Sequence, residues 1–161
     1  MTLTIRPATP DDAETIAAFV RALAAYEKLA DEARATGADF AAALFCEAPK
    51  VFCDIADVDG RPAGMALWFY SFSTFAGRHG LYLEDLFVLP EHRGAGVGKA
   101  LLARLAKRCV DEGLPRFEWE VLDWNRPAID FYEAKGAVLM RGWEQVRLSG
   151  EALRRLAEEA P

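Results

Sequence analysis

A chain of 161 residues, 52% hydrophobic and 27% charged, carries enough apolar material for one well-filled domain and too much for a disordered chain. Its formal net charge of −6 argues against nucleic acid as the main partner, because neutralising phosphates takes clustered Lys and Arg. No apolar run approaches the roughly 20 residues that cross a bilayer, and no secretory leader is recognisable, so a cytoplasmic setting away from membranes is expected.

Residues 2–6 predict a short strand in which Leu3 and Ile5 alternate. A turn over 7–12 leads into a helix, with Thr9 or Asp11 near its N-cap and Pro10 near its first position. Ile16, Phe19, Val20, Leu23 and Tyr26 then recur at helical spacing. A shorter helix is expected over 38–45. Residues 51–58 read as a strand, Asp59-Gly60 as a hairpin turn, and 62–75 as an aromatic-rich return strand. After a turn over 77–80 comes a strand over 81–89, ended by Pro90, then a glycine-rich loop and an amphipathic helix to Glu112-Gly113. Residues 117–122 read as a strand. A short helix follows, opened by Asn125 and closed by Gly136. Residues 138–140 and 143–148 suggest a terminal hairpin, and 149–159 a last helix capped by Ser149. The order β-α-α-β-β-β-α-β-α-β-β, ahead of that last helix, implies an α/β fold: a single domain over 1–161 built on one mixed sheet with helices on both faces.

Cys46, Cys53 and Cys109 are odd in number and form no C-x-x-C pair, and His79 and His92 stand apart from them. Neither a disulfide framework nor a metal site is expected, and the thiols should be free and at least half-buried.

The most informative stretch is Arg93-Gly94-Ala95-Gly96-Val97-Gly98-Lys99. It joins an apolar strand to a helix with Leu101, Leu102, Leu105 and Cys109 on one face. The first N–H groups of a helix have no partner within it, the helix dipole favours negative charge there, and glycines let a ligand approach the backbone. A pyrophosphate is the natural guest. The Walker loop does not fit, because only three residues separate Gly94 from Gly98 and Ala100 follows Lys99. The dinucleotide fingerprint fails as well, because Lys99 stands where its third glycine belongs. What remains is R-x-x-G-x-G at Arg93, Gly96 and Gly98.

This loop, with Leu81-Tyr82-Leu83-Glu84-Asp85-Leu86-Phe87-Val88 before it and Trp124-Asn125-Arg126-Pro127-Ala128-Ile129-Asp130-Phe131-Tyr132 and Lys135-Gly136-Ala137 after it, resembles the GCN5-related N-acetyltransferases, the GNAT superfamily. With Ile5-Arg6-Pro7-Ala8-Thr9 and Ala25-Tyr26-Glu27, it is similar to the diamine (spermidine/spermine) and thialysine acetyltransferase branch. The resemblance implies a GNAT-like sheet in which two neighbouring strands splay apart. It also implies acetyl-coenzyme A as co-substrate, a small-molecule amine as acceptor, and a homodimer.

Acetyl transfer to an amine poses two proton problems. An alkylamine with a pKa of about 10.4 arrives protonated, and the departing thiolate gains from receiving a proton. The resemblance makes Tyr132 the acid. It makes Glu84 the base, acting through a water and binding the acceptor; a carboxylate set in an apolar strand needs a partner or a raised pKa. Asp85 should face the other way unless a bulge intervenes, and is assigned to structure. The resemblance further implies that Leu86, Phe87 and Val88 pair with the pantetheine amides as an added strand would. Gly94, Ala95, Gly96, Val97, Gly98 and Lys99 would cradle the pyrophosphate with Arg93 as a charge partner. Asn125, Arg126, Pro127 and Ala128 would contact the coenzyme, and Tyr26 and Glu27 the acceptor.

Two departures bear on the acceptor. Glu118, on one strand face with Glu120, replaces a substrate-touching histidine of the polyamine enzymes. Arg141 stands where they carry a substrate-binding glutamate. A positive charge there should repel a long polycation, so an amino acid or short amine whose carboxylate Arg141 meets fits at least as well as spermidine. The alternatives are a GNAT enzyme acting on a protein N-terminus or an antibiotic amine, and a non-catalytic acyl-coenzyme A sensor.

Overall fold

The computed structural model describes residues 1–161, in two compact units, Met1–Leu122 and Asp123–Pro161. The first unit holds β1 (Leu3–Pro7), α1 (Ala13–Tyr26), α2 (Gly37–Leu44), β2 (Phe52–Val58), β3 (Arg61–Ser73), β4 (Arg78–Val88), α3 (Val97–Glu112) and β5 (Phe117–Trp119). The sheet follows chain order, β1-β2-β3-β4-β5. Its first four strands are antiparallel neighbours, and β5 runs parallel to β4. Short turns join β2 to β3 and β3 to β4, the first at Asp59 and Gly60, both left-handed with φ of 50° and 78°, whereas β1 reaches β2 through α1 and α2. The parallel pair needs a crossover, which α3 provides. The expected mixed sheet is present.

Polar side chains set where α1 begins. The Arg6 guanidinium donates to both Asp12 carboxylate oxygens, at 2.7 and 2.9 Å, and to Asp57 at 2.7 Å. The Thr9 N–H also donates to Asp12, at 2.7 Å. Hydrogen bonding from Arg6, above all, holds the Asp12 carboxyl down at about 2. Thr9, not Asp11, starts a 3-10 turn over Pro10–Asp12, and α1 follows it. At α2, Thr36 and Asp39 form a reciprocal capping box: the Thr36 hydroxyl accepts from the Asp39 N–H while the Asp39 carboxylate accepts from the Thr36 N–H at 2.8 Å.

One layer of core, Ile16, Phe19, Leu44, Cys53, Ile55, Met65, Leu67 and Phe87, lies between the sheet and α1 with α2. On the opposite face α3 buries Leu101 and Leu105 completely. There Arg108 lies over the Trp68 ring at 4.8 Å, and the buried Asp54 accepts from Trp68 Nε1 at 2.9 Å. Helices therefore cover both faces.

In the second unit are α4 (Arg126–Glu133) and α5 (Gly150–Ala157). Gly136, at φ 87°, closes α4: its N–H donates to Glu133 O, and the Ala137 N–H donates to Tyr132 O at 3.2 Å. Ser149 is the N-cap of α5. The hairpin expected over 138–148 does not form: no strand occurs there, and Val138, Met140, Trp143 and Val146 are exposed. Alternating apolar residues permit a strand but cannot make one without a paired edge, and a lone hairpin is marginal in water. Cys46 also departs from expectation, since its thiol is exposed whereas those of Cys53 and Cys109 are buried.

Candidate active site

A bulge in β4 shapes the site. Leu67 of β3 stands opposite Asp85, yet the next residue, Trp68, stands opposite Leu83, leaving Glu84 as the extra residue. Side chains directly opposite in a sheet share a face. Asp85 therefore lies on the Leu67 face, the one α1 covers, and Tyr82 joins it there opposite Phe69. Without the bulge, residues three apart would point to opposite faces.

Burial sorts the two acids. Glu84 is exposed and Asp85 half-buried. Desolvation first, then the charges of Glu84 and Glu27, push the Asp85 carboxyl up from 3.8 to about 6. Glu27, the residue after α1, is half-buried, and desolvation raises its pKa as well. The Tyr82 ring stacks on Phe69 at 5.1 Å. Its phenol is pushed well up by desolvation, by a hydrogen bond with the Glu120 carboxylate, and by the charges of Glu120, Glu84 and Glu118. Glu118 is itself paired with Arg116 at 2.8 Å, so part of its charge is spoken for. This face holds Asp85, its carboxyl raised to about 6, among carboxylates that favour a cation.

The sequence reading names Glu84 as the base and gives Asp85 to structure; the register places Asp85 on the α1-covered face, two residues from the core residue Phe87, with its carboxyl raised to about 6. Two adjacent acids in an apolar strand are the signal visible in the sequence.

The glycine-rich loop is built to receive an anion. Gly94 and Gly96 have φ of 75° and 86°, and a side-chain carbon added at either would meet nothing within 4 Å. Gly96 is the N-cap of α3 and no side chain caps the helix. Ala100 donates back to Gly96 O at 2.9 Å, and the amides of Val97, Gly98 and Lys99 precede it in the first turn. No acid lies in that turn. The loop thus fits a pyrophosphate by shape and by charge. Beside it, β4–β5 pairing ends at Leu83–Trp119 while β4 runs on to Val88. β5 ends at that point, so it covers none of the β4 edge carrying Leu86, Phe87 and Val88, where Val88 O accepts from Arg93. Arg93 is not simply turned toward an anion: its Nε–H donates to Val88 O at 3.0 Å, and its guanidinium carbon lies 5.1 Å from the Tyr26 ring centroid.

Tyr26, Glu27, Glu84, Glu118 and the residues from Leu86 to Lys99 all belong to the first unit, and Tyr132, Asn125, Arg126, Pro127, Ala128 and Arg141 to the second. Tyr132 is half-buried on α4, Asn125 is buried at the N-cap of that helix, and Pro127 sits in its first turn. Arg126 pairs with Asp130 one turn on, at 2.7 Å. Arg141 is exposed.

Comparison with known proteins agrees with this geometry. Residues 21–137 match the acetyltransferase (GNAT) family. A thialysine Nε-acetyltransferase of Bos taurus is 37% identical over 164 aligned positions, covering 95% of this chain and 96% of that protein. An L-ornithine N5-acetyltransferase of Arabidopsis thaliana is 44% identical over 91 positions, covering 56% of this chain and 40% of that protein. Among solved structures, an integron cassette protein from the mobile metagenome of V. cholerae superposes with a TM-score of 0.81 at 28% identity, covering 98% of this chain and 99% of that one. Sheet, loop and relatives lead to one assignment: the chain belongs to the GNAT family of acetyltransferases.

Proposed function

We propose that this protein transfers the acetyl group of acetyl-coenzyme A to the side-chain amine of a small amino acid or short diamine, with residues 1–161 acting as one catalytic domain. The observation that carries the reading is Asp85, a half-buried carboxyl with its pKa raised to about 6 by desolvation and by Glu84 and Glu27. An ammonium entering this face meets negative charge. It meets there a base that is ionised at neutral pH yet basic enough to accept a proton. Asp85 removes the proton from the acceptor, while Glu84, Glu27, Tyr26 and Glu118 hold it. The amides of Gly94 to Lys99 and the edge of Leu86 to Val88 hold the coenzyme, helped by Asn125, Arg126, Pro127 and Ala128. The coenzyme supplies the activated acetyl thioester. Tyr132 donates its phenolic proton to the departing sulfur, a role that rests on its place in the N-x-P-x-x-x-F-Y motif.

Arg141 favours an acceptor with a carboxylate over a long polycation. The thialysine and ornithine enzymes among the relatives are named for such acceptors. The same reading carries a homodimer in the cytoplasm, and the exposed Trp143 and Val146 are the surface to be covered; light scattering tests the dimer. Activity is tested by following coenzyme A thiol release with thialysine, ornithine, putrescine and spermidine as acceptors. Acetylation of thialysine or ornithine in preference to spermidine is expected. No turnover with any of them, together with no calorimetric affinity for coenzyme A, would overturn the reading.

A further inference from the structure

We propose that Arg93 is a positioning residue that couples the coenzyme loop to the acceptor wall through the ring of Tyr26. The inference rests on the reading above, in which the loop after Arg93 holds pyrophosphate and the end of α1 lines the acceptor site. A guanidinium is planar, with five N–H donors in its plane and two faces free of them. In Arg93 the Nε–H donates to Val88 O at 3.0 Å, and the guanidinium carbon lies over the Tyr26 ring, 5.1 Å from its centroid. A cation over a ring is held by the ring's quadrupole. The Nη groups are then the ones to serve a phosphate oxygen. Arg93 has extended backbone, φ −69° and ψ 151°, immediately ahead of the left-handed Gly94.

On the acceptor side, Tyr26 is the last residue of α1, and the left-handed Lys28, φ 63°, turns the chain away two residues later. The Tyr26 ring is 42% exposed, so core packing confines it only in part. Glu27 lies between Tyr26 and that turn, and its charge is one of those that raise the Asp85 pKa. Fixing the ring fixes the segment that presents Glu27 to the acceptor. Coenzyme that orders Arg93 therefore also orders the acceptor wall. By linkage, the factor by which coenzyme raises acceptor affinity is the factor by which acceptor raises coenzyme affinity.

The test is a double-mutant cycle on coenzyme A affinity, measured by calorimetry on the full chain without any amine. Tyr26→Leu, at a residue assigned to the acceptor, is expected to weaken coenzyme A about two- to five-fold, the size of an exposed cation–π contact. Tyr26→Phe keeps the ring and should restore wild-type affinity. In an Arg93→Lys background, Tyr26→Leu should change affinity by less than about 1.5-fold, because an ammonium does not present the same planar face. The inference is overturned if Tyr26→Leu leaves coenzyme A affinity unchanged, if it weakens it equally in the Arg93→Lys background, or if Tyr26→Phe is as damaging as Tyr26→Leu. A wild-type protein with no affinity for coenzyme A would remove the proposed function along with it. Wild-type binding with a null cycle would remove this inference alone.

Discussion

Replacing Asp85 by Asn should make the protein more stable and far less active. The Asp85 carboxyl lies at about 6 instead of its ordinary 3.8, so folding disfavours its ionised form. At about 1.36 kcal/mol per pKa unit, that difference is roughly 3 kcal/mol. The sign follows from linkage. Below about pH 3.8 the group is neutral folded and unfolded, and the penalty is absent; it opens as pH rises toward 6 and is fully present above it. Asn has nearly the same shape and no charge. The stability gap between Asp85→Asn and wild type should therefore be close to zero near pH 4 and grow to roughly 3 kcal/mol above pH 7, or roughly 6–12 °C in Tm for a chain of this size. Urea unfolding at a series of pH values measures the gap. Wild-type kcat/KM should rise with pH through about 6, whereas Asp85→Asn should lose at least about 100-fold in rate and lose that inflection. Parallel stability–pH curves for the two proteins would refute the account of Asp85, as would an inflection near pH 6 that survives the substitution.

Tyr132→Phe should lower kcat by roughly 100-fold with little change in coenzyme A affinity, because it deletes only the proton donor; steady-state kinetics with calorimetry separates the two. Gly96→Val should cut coenzyme A affinity at least about ten-fold by placing a branched side chain over the α3 amides, and lower stability by only about 1–2 kcal/mol for the left-handed backbone it must adopt. Gly64→Ala should be more damaging to the fold, because its new carbon would sit 2.6 Å from the Phe87 carbonyl oxygen. β3 and β4 must then separate where the coenzyme edge lies, so thermal melting and coenzyme A titration should both deteriorate. Asp12→Ala breaks the hydrogen bonds from Arg6 and Thr9 and should cost about 2 kcal/mol or more at neutral pH. Because the Asp12 carboxyl is held at about 2, below its ordinary 3.8, that stabilisation is present above pH 3.8 and fades as pH falls toward 2; urea melts across that range should show the two proteins converging.

Local chemistry is what the sequence by itself determined. Helical spacing from Ile16 to Tyr26, the Asp59-Gly60 turn, the loop from Gly94 to Gly98, Gly136 and Ser149 all act through neighbours within a few residues, and each occupies the expected place. The glycine loop was legible for the same reason: its function resides in backbone amides that a short motif specifies. Tertiary structure alone decided the rest. The bulge at Glu84 shows itself only when β4 is laid against β3. A one-residue slip there decides whether Tyr82 shares the face of Asp85, because side chains alternate with a period of two. Burial of Asp85 depends on α1 crossing that face, and the contact of Arg93 with Tyr26 joins residues on separate elements. The stretch over 138–148, which forms no strand, carries the same lesson in reverse. Its alternating apolar residues permit a strand, but a strand exists only where another edge supplies its hydrogen bonds.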